Sequence, residues 1–110
     1  IAGMNSVELR RDEKRRYLGY FRERVIEAVT FEQLRSKAGI SALKEALNHK
    51  QAAELVVRNK ARSSAMPLIV QAQRSRVAFK IVSDSEFVGD VAALVAARDA
   101  VDVPRVMAEE

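Results

Sequence analysis

Apolar side chains occur along this chain in short runs that alternate with longer, more polar segments. The runs at residues 54–58, 78–82 and 91–97 are rich in aliphatic side chains. Short continuous apolar runs of this length are typical of strands buried within a sheet. These three segments are therefore predicted to be strands.

The stretch 21–29 is ambiguous, because its apolar residues fit both a helical spacing of four and strict alternation. Thr30 followed by Gln33 has the form of a capping box, which starts a helix at Phe31. A helix start there ends the preceding element. We therefore predict a strand over 21–29.

The remaining segments are predicted to be helical. Residues 8–18 form a charged, exposed helix that ends near Gly19, and Gly39 separates two helical pieces at 31–37 and 40–48. A later helix tolerates Pro67 in its first turn. Ser63 or Ser64 caps that helix, whose inner face is Ala65, Leu68, Ile69 and Ala72. Asp84 caps a single helical turn that ends at Gly89. A short tail segment spans 101–103.

This order of elements predicts an α/β fold with a mixed four-stranded sheet and helices on its faces, an α-β sandwich of the ribosomal-protein or chorismate-mutase kind. Residues 4–110 are expected to form one domain, and residues 1–3, which precede Met4, to be an addition to the natural chain. The predicted core contains Val25, Val56, Val57, Leu68, Ile69, Phe79, Ile81 and Leu94.

Composition narrows the class of protein. Of 110 residues, 48% are apolar but only 5% are aromatic, and there is no Trp, so the core must be aliphatic. The absence of Cys excludes disulfides and thiol chemistry. No apolar run approaches the roughly 20 residues of a membrane span, and no secretion signal opens the sequence. We expect a cytoplasmic protein without a membrane partner.

The residue types present exclude most known kinds of catalytic site. His49 is the only histidine, and it lies in a polar helix end where a solvated side chain is expected. The four glycines form no phosphate-binding or dinucleotide pattern. Asp84, Glu86 and Asp90 could form a magnesium or acid/base cluster, but helix capping already accounts for the first two. We expect no enzyme activity, no metal and no cofactor.

Charge is distributed unevenly along the chain. Residues 58–80 contain six basic and no acidic side chains, whereas residues 81–110 contain seven acids and two arginines. Such a block could bind an anionic partner such as RNA, although cations at a helix end or in a loop are also ordinary solvated charges. The candidate binding residues are Arg58, Lys60, Arg62, Arg74, Arg76 and Lys80.

The sequence resembles the YueI-like family of small bacterial proteins of unknown function. The resemblance extends over roughly residues 8–103. It depends on EKRRYLG at 13–19, FRERV at 21–25, AVT at 28–30, FKIVSD at 79–84, EFVGD at 86–90 and AVD at 100–102. The resemblance implies a mixed four-stranded α/β fold, a strand at 21–29 and no established activity.

That fold is similar to the ribosomal-type proteins that bind kink-turn RNA. Those proteins present a Gly-x-Asn-Glu segment at a helix start, and the corresponding stretch here, residues 38–45, has Gly39 but no Asn-Glu pair. Kink-turn recognition is therefore not supported by the residues themselves. Fold analogy alone is a weak basis for RNA binding.

Three functional hypotheses follow. The first is a non-enzymatic binding or regulatory module with RNA or another polyanion as partner. The second is a protein-interaction domain or homodimer, in which the basic part of one chain meets the acidic part of another. The third is an enzyme or sensor for a small anionic ligand near Ser83 and Asp84, at the strand ends.

Overall fold

The computed structural model describes residues 14–83 and 87–101. The helices are α1 (Phe31–Leu34), α2 (Lys37–Ala46) and α3 (Met66–Arg74), and the strands are β1 (Val25–Thr30), β2 (Ala52–Arg58), β3 (Ala78–Val82) and β4 (Val91–Ala97). Single 3-10 turns occupy Arg22–Arg24 and Asn59–Ala61.

The strands form one mixed sheet in the order β1-β4-β2-β3. β4 pairs antiparallel with both β1 and β2, whereas β3 pairs with β2 in parallel. The parallel pair requires a crossover, and α3 supplies it. The predicted α/β fold with a mixed four-stranded sheet is confirmed, with β4 and β2 central and β1 and β3 at the edges.

One face of the sheet is covered by helices. α2 packs on β1, α3 packs on β3, and the two helices contact each other. Ala65, Leu68, Ile69 and Ala72 of α3 are all buried there, as the helical spacing predicted. They join Val29, Leu43, Leu55, Val57, Ala93 and Val95 in the larger aliphatic core.

The opposite face has a smaller core that no long helix covers in the described part of the chain. Leu18, Val25, Ala28, Val56, Val91, Leu94 and Ala96 are buried there, with Tyr17, Tyr20, Val82 and Phe87 packed against them. The residues before β1 and before β4 therefore cover this face. Leu18 accepts a left-handed backbone (φ 53°) and is only 1% exposed, so burial of its side chain outweighs the backbone cost.

β1 begins later than predicted, because residues 22–24 form a 3-10 turn. The Arg24 guanidinium donates to the Ala97 carbonyl from Nε (3.1 Å) and Nη2 (2.9 Å), and to the Arg98 carbonyl at 2.6 Å. These contacts tie the turn to the end of β4. Their partners are more than 70 residues away in sequence, so no local pattern indicates them.

Gly39 does not separate two helices, and that prediction is wrong. The break lies at residues 35–36, where Ser36 caps α2 by accepting the Gly39 amide at 3.1 Å. A Cβ atom at Gly39 would fall on the Gln33 carbonyl oxygen. The glycine is therefore needed for close approach of α2 to the preceding chain. The capping box of Thr30 and Gln33 is confirmed.

The predicted cap of α3 is also wrong. Ala65 occupies the N-cap position without a side-chain hydrogen bond, while Ser63 and Ser64 are exposed. Turns that follow Asn59–Ala61 bring the Ala65 amide to the Ala61 carbonyl (3.0 Å) and bury the Ala65 methyl group completely. Core packing fixes this helix start, and Pro67 lies in its first turn as expected.

Two residues of the predicted core are exposed. Phe79 and Ile81 are each 38% exposed, whereas Val25, Val56, Val57, Leu68, Ile69 and Leu94 are buried as predicted. Strand β3 is correctly placed, but in the described part of the chain it lies at the sheet edge and pairs only with β2. An edge strand lacks a neighbour on one side, so its apolar side chains keep contact with solvent.

The predicted helix over 8–18 lies mostly outside the described residues. Its described part, residues 14–16, is helical, and the chain turns at Leu18 and Gly19. Residues 84–86 of the predicted turn and residues 102–103 of the predicted tail lie outside the described ranges. Among the described helices, none is long and apolar enough to cross a membrane.

Candidate functional site

The structure divides the six predicted binding residues among three places. Most of these cations lie beyond one end or the other of the crossover helix α3. Its nine residues span about 14 Å at the rise of an α-helix, so the two groups of cations are well separated. Arg58, Lys60 and Arg62 follow the end of β2, Arg74 and Arg76 lie at the far end of α3, and Lys80 lies in the middle of β3.

Arg58 is a structural residue. Its side chain is 6% exposed, and Nη1 donates to the carbonyls of Gly89 (2.9 Å) and Val91 (3.4 Å). Its guanidinium lies 5.1 Å from the centre of the Phe31 ring. These contacts join the end of β2 to the start of β4 and to α1, so Arg58 does not belong to the exposed surface that the sequence suggested.

Three other cations are well exposed. Arg62, Arg74 and Arg76 form no ion pair with another described residue. Arg76 has φ 59° and takes the left-handed position of a helix-ending motif, in which the Val77 amide donates to the Ala72 carbonyl at 2.8 Å. Within the described part of the chain, these guanidinium groups are exposed and can contact an external anion.

Lys80 belongs to a small polar cluster on the face opposite the helices. Its Nζ lies 3.5 Å from Glu54 Oε1 and 5.7 Å from the centre of the Tyr20 ring, and 48% of its side chain is exposed. The Tyr20 hydroxyl donates to the same carboxylate oxygen at 2.5 Å. The pairing of Lys80 with Glu54 is therefore partial, and its ammonium keeps access to solvent.

Tyr20 is held in its neutral form by this cluster. Burial, followed by the hydrogen bond to Glu54 and the charge of that carboxylate, raises the pKa of Tyr20 to about 12, and nearby Arg24 opposes the shift. Glu54 and Tyr20 were not singled out from the sequence. They lie 34 residues apart, and no local pattern brings them together.

Exposed apolar side chains are concentrated on α3 and β3. Five large apolar residues are at least 38% exposed among those described: Met66 and Val70 on α3, Phe79 and Ile81 on β3, and Val88 elsewhere. The sequence contained a signal for the first two, since they lie one helical turn apart and outside the inner face of α3.

The four residues on α3 and β3 lie on the same side of the sheet. Phe79 pairs with Leu55 and Ile81 with Val57, both in the helix-covered core, so these side chains share the face on which α3 packs. α2 contacts α3 from the β1 side. Crossovers between parallel strands are right-handed as a rule. We therefore expect the exposed flank of α3, with Met66 and Val70, to face the free edge of β3.

We call this region the α3–β3 surface. Its apolar part is Met66, Val70, Phe79 and Ile81, and its cations are Arg62, Arg74 and Arg76. Lys80 lies on the same edge strand but on the opposite face of the sheet. The chain contains no acidic residue between Glu54 and Asp84. An apolar surface bordered by charge of one sign is typical of a binding site for a partner of the opposite sign.

Two depressions lie elsewhere. One, of about 380 Å³, is lined by Thr30, Phe31, Glu32, Gln33, Ser36 and Asp90, and hydrogen bonds within the α1–α2 caps already engage Thr30, Gln33 and Ser36. The other, of about 460 Å³, is lined by Ile26, Glu27, Ala42, Glu45, Ala46, Asn48 and His49. Each depression has two carboxylates in its lining, Glu32 and Asp90 in the first and Glu27 and Glu45 in the second, so neither suits an anionic ligand.

Of the remaining candidates from the sequence, Asp90 lines the first depression and His49 the second. His49 is exposed, and its Nδ1 accepts the Gln51 amide at 3.0 Å. Asp90 is exposed, whereas Asp84 and Glu86 lie outside the described residues. No group of three or more potential metal-ligating side chains occurs among the residues that the structure describes.

Comparison with known proteins agrees with this architecture. A family model described as "Protein of unknown function (DUF1694)" matches residues 2–107, nearly the whole chain. The chain belongs to this family. The crystal structure of the YueI protein from Bacillus subtilis has a TM-score of 0.80 at 29% identity, covering 89% of this chain and 77% of that chain. No curated protein matches.

Membership confirms the YueI-like resemblance seen in the sequence. The family description names no activity, substrate or partner. The α3–β3 surface is therefore the feature of this DUF1694 protein that bears on its function.

Proposed function

We propose that this protein is a non-enzymatic binding module that recognises an acidic protein partner through the α3–β3 surface. One observation supports this most directly. Four of the five large exposed apolar side chains among the described residues lie on this surface, bordered by cations and without an acid between Glu54 and Asp84. Apolar contacts supply affinity, and the cations supply specificity and a fast encounter.

The sequence favoured RNA or another polyanion as the partner. Phosphate backbones are bound mainly by runs of cations, whereas here the guanidinium groups at the two ends of α3 are separated by Met66 and Val70. Among the described residues, Phe79 is the only aromatic one of the five large exposed apolar side chains, so stacking of successive bases has little support. An acidic polypeptide with apolar side chains fits this arrangement better.

A binding assay with two anionic polymers tests the proposal. Poly(L-glutamate) and a single-stranded RNA of mixed sequence are titrated into the labelled protein at low salt, and amide resonances are followed by NMR. We expect poly(L-glutamate) to shift resonances of α3 and β3. Binding of RNA without binding of poly(L-glutamate) would establish the polyanion hypothesis in its place.

Charge-matched variants separate this surface from net charge. Arg62→Gln, Arg74→Gln and Arg76→Gln together should weaken binding of poly(L-glutamate) and flatten its salt dependence. The control combines Arg35→Gln, Lys44→Gln and Lys50→Gln, which removes the same charge from exposed positions elsewhere. Equal weakening by both sets would show that only net charge matters and would overturn the proposal.

A further inference from the structure

The geometry points to the mode of recognition at this surface: β3 accepts an extended segment of the partner as a fifth strand, and that segment alternates apolar and acidic residues. This inference rests on the proposed function and deepens it. It identifies the free edge of β3, rather than the helix alone, as the place where the partner binds.

The first support is the open edge. β3 stands last in the strand order and pairs only with β2 among the described residues. On the edge of β3 that faces away from β2, alternate backbone amide and carbonyl groups therefore have no partner strand among the described residues. Such an edge is a template for addition of another strand, which main-chain hydrogen bonds then hold.

The second support is the sorting of side chains between the two faces of β3. Phe79 and Ile81 lie on the side of β3 on which α3 packs, and a right-handed crossover turns the flank of α3 with Met66 and Val70 towards them. Lys80 lies on the opposite side, where its register partner is Val56. A strand added beyond β3 would place successive side chains on these two sides in turn.

The chemistry of the added strand follows from this sorting. Residues opposite Phe79 and Ile81 meet an apolar surface, and the residue between them meets the half-exposed ammonium of Lys80. Cross-strand pairs stabilise a sheet when an apolar side chain lies opposite another apolar side chain, or a charged side chain lies opposite one of the other sign. The segment that fits is therefore apolar–acidic–apolar, with further acidic residues within reach of Arg62 or Arg76.

A second copy of the same strand fits less well. Two-fold pairing of β3 with itself about its central residue sets Lys80 of one chain opposite Lys80 of the other, and directly opposed like charges destabilise a sheet. A lysine on an edge strand is a known device against self-pairing. The same side chain that disfavours a homodimer thus selects an acidic partner.

The test uses synthetic peptides, acetylated and amidated, with the intact protein. The probe is Ser-Thr-Val-Glu-Val-Thr-Ser, and its matched control replaces Glu by Lys. We expect the probe to shift and protect amides of β3 and to bind about three- to tenfold more tightly than the control. With Lys80→Glu this preference should reverse, and amide spectra of the variant establish that it is folded.

Backbone methylation separates strand addition from side-chain contact. In an extended peptide the amides of both Val residues point to one edge and the Glu amide to the other. N-methylation of one of these two sets should weaken binding by about tenfold or more, while N-methylation of the other leaves it nearly unchanged. Equal effects of the two would show that no strand is added.

These experiments distinguish failure of strand addition at β3 from failure of the proposed function. Binding of poly(L-glutamate) that depends on Arg62, Arg74 and Arg76, without any response of β3 amides to the peptide, would overturn strand addition and leave the proposed function standing. Absence of both would overturn both. Concentration-dependent changes at β3 without peptide, with a dimer in sedimentation, would show that a second copy occupies the edge and would overturn the inference.

Discussion

At the scale of single residues, two non-glycine residues in the described part of the chain adopt a left-handed backbone conformation that their side chains disfavour. Arg76 occupies a left-handed backbone position at the end of α3, where glycine is the usual residue. Leu18 does the same, but its side chain is buried, whereas the Arg76 side chain is exposed. Only Leu18 therefore recovers its backbone cost through packing.

Arg76→Gly should stabilise the protein by about 1 kcal/mol, because it removes the left-handed strain and loses no buried contact. Urea unfolding measures the change. Gln73→Gly, one turn earlier in α3 and exposed, should instead cost about 0.5–1 kcal/mol through lost helix propensity. Destabilisation by Arg76→Gly would show that its guanidinium makes a stabilising contact.

Tyr20 should make stability depend on pH in the alkaline range. Its pKa is raised to about 12 by burial and by Glu54, above the ordinary value of about 10 in the unfolded chain. The unfolded state then loses its proton first. The stabilisation is complete below about pH 10 and is lost as the pH rises through the folded-state pKa.

Urea unfolding at several pH values between about 9 and about 12 measures this effect. The unfolding free energy of the wild type should fall more steeply there than that of Tyr20→Phe, which has no hydroxyl to titrate. Parallel curves for the two proteins would show that the Tyr20 hydroxyl is no better stabilised in the folded state than in the unfolded chain.

At the scale of elements, similar aliphatic runs have different environments. The runs at 54–58, 78–82 and 91–97 all became strands, as predicted. Every residue of β4 is buried, whereas four of the five residues of β3 are exposed. Position in the sheet causes the difference, and the strand order depends on pairings between distant segments.

Equivalent truncations in α3 and β3 should therefore have unequal effects. Leu68→Ala should cost about 2–5 kcal/mol, because Leu68 is fully buried in the helix-covered core. Ile81→Ala should cost about 1 kcal/mol, because much of its side chain already contacts water. Chemical denaturation checks both, and equal losses would mean that β3 is covered in solution.

Gly39 and Ala65 show the same limit for helix boundaries. Both predictions used sound local rules, namely that glycine interrupts a helix and serine caps one. In the structure, Gly39 allows contact with the Gln33 carbonyl, and Ala65 enters the core. Where a tertiary contact needs a small residue, packing overrides the local preference.

At the scale of the whole molecule, two aliphatic cores share one sheet. The helix-covered core contains Leu68, and the opposite core contains Leu18. Successive residues of β4 contribute to one core and then the other, since Ala93 and Val95 lie in the first and Leu94 and Ala96 in the second. Loss of either core should therefore weaken the sheet that supports both.

Unfolding should be one cooperative transition. Two spectroscopic probes can follow the unfolding of the two faces of the sheet separately. Both tyrosines of the chain, Tyr17 and Tyr20, pack on the face opposite the helices, so their fluorescence reports that core. Far-ultraviolet circular dichroism reports the helices. The two signals should coincide in the wild type, in Leu68→Ala and in Leu18→Ala; separate midpoints in any of them would show that the faces unfold independently.

The sequence by itself determined the fold class, the four strands, the inner face of α3 and the concentration of positive charge in residues 58–80. Each of these follows from periodicity or composition within a short window, where neighbouring residues decide the outcome. The YueI-like family was also recognisable from its local motifs, and the match over residues 2–107 confirmed it.

Only the tertiary structure decided which of these features are exposed together. It buried Arg58 against Phe31, paired Lys80 with Glu54, and left Phe79 and Ile81 exposed on the edge strand of the described sheet, on the side where α3 packs. These outcomes depend on strand order and on the side of the sheet that α3 crosses. Both are set by the pairing of segments far apart in sequence, which no local window contains.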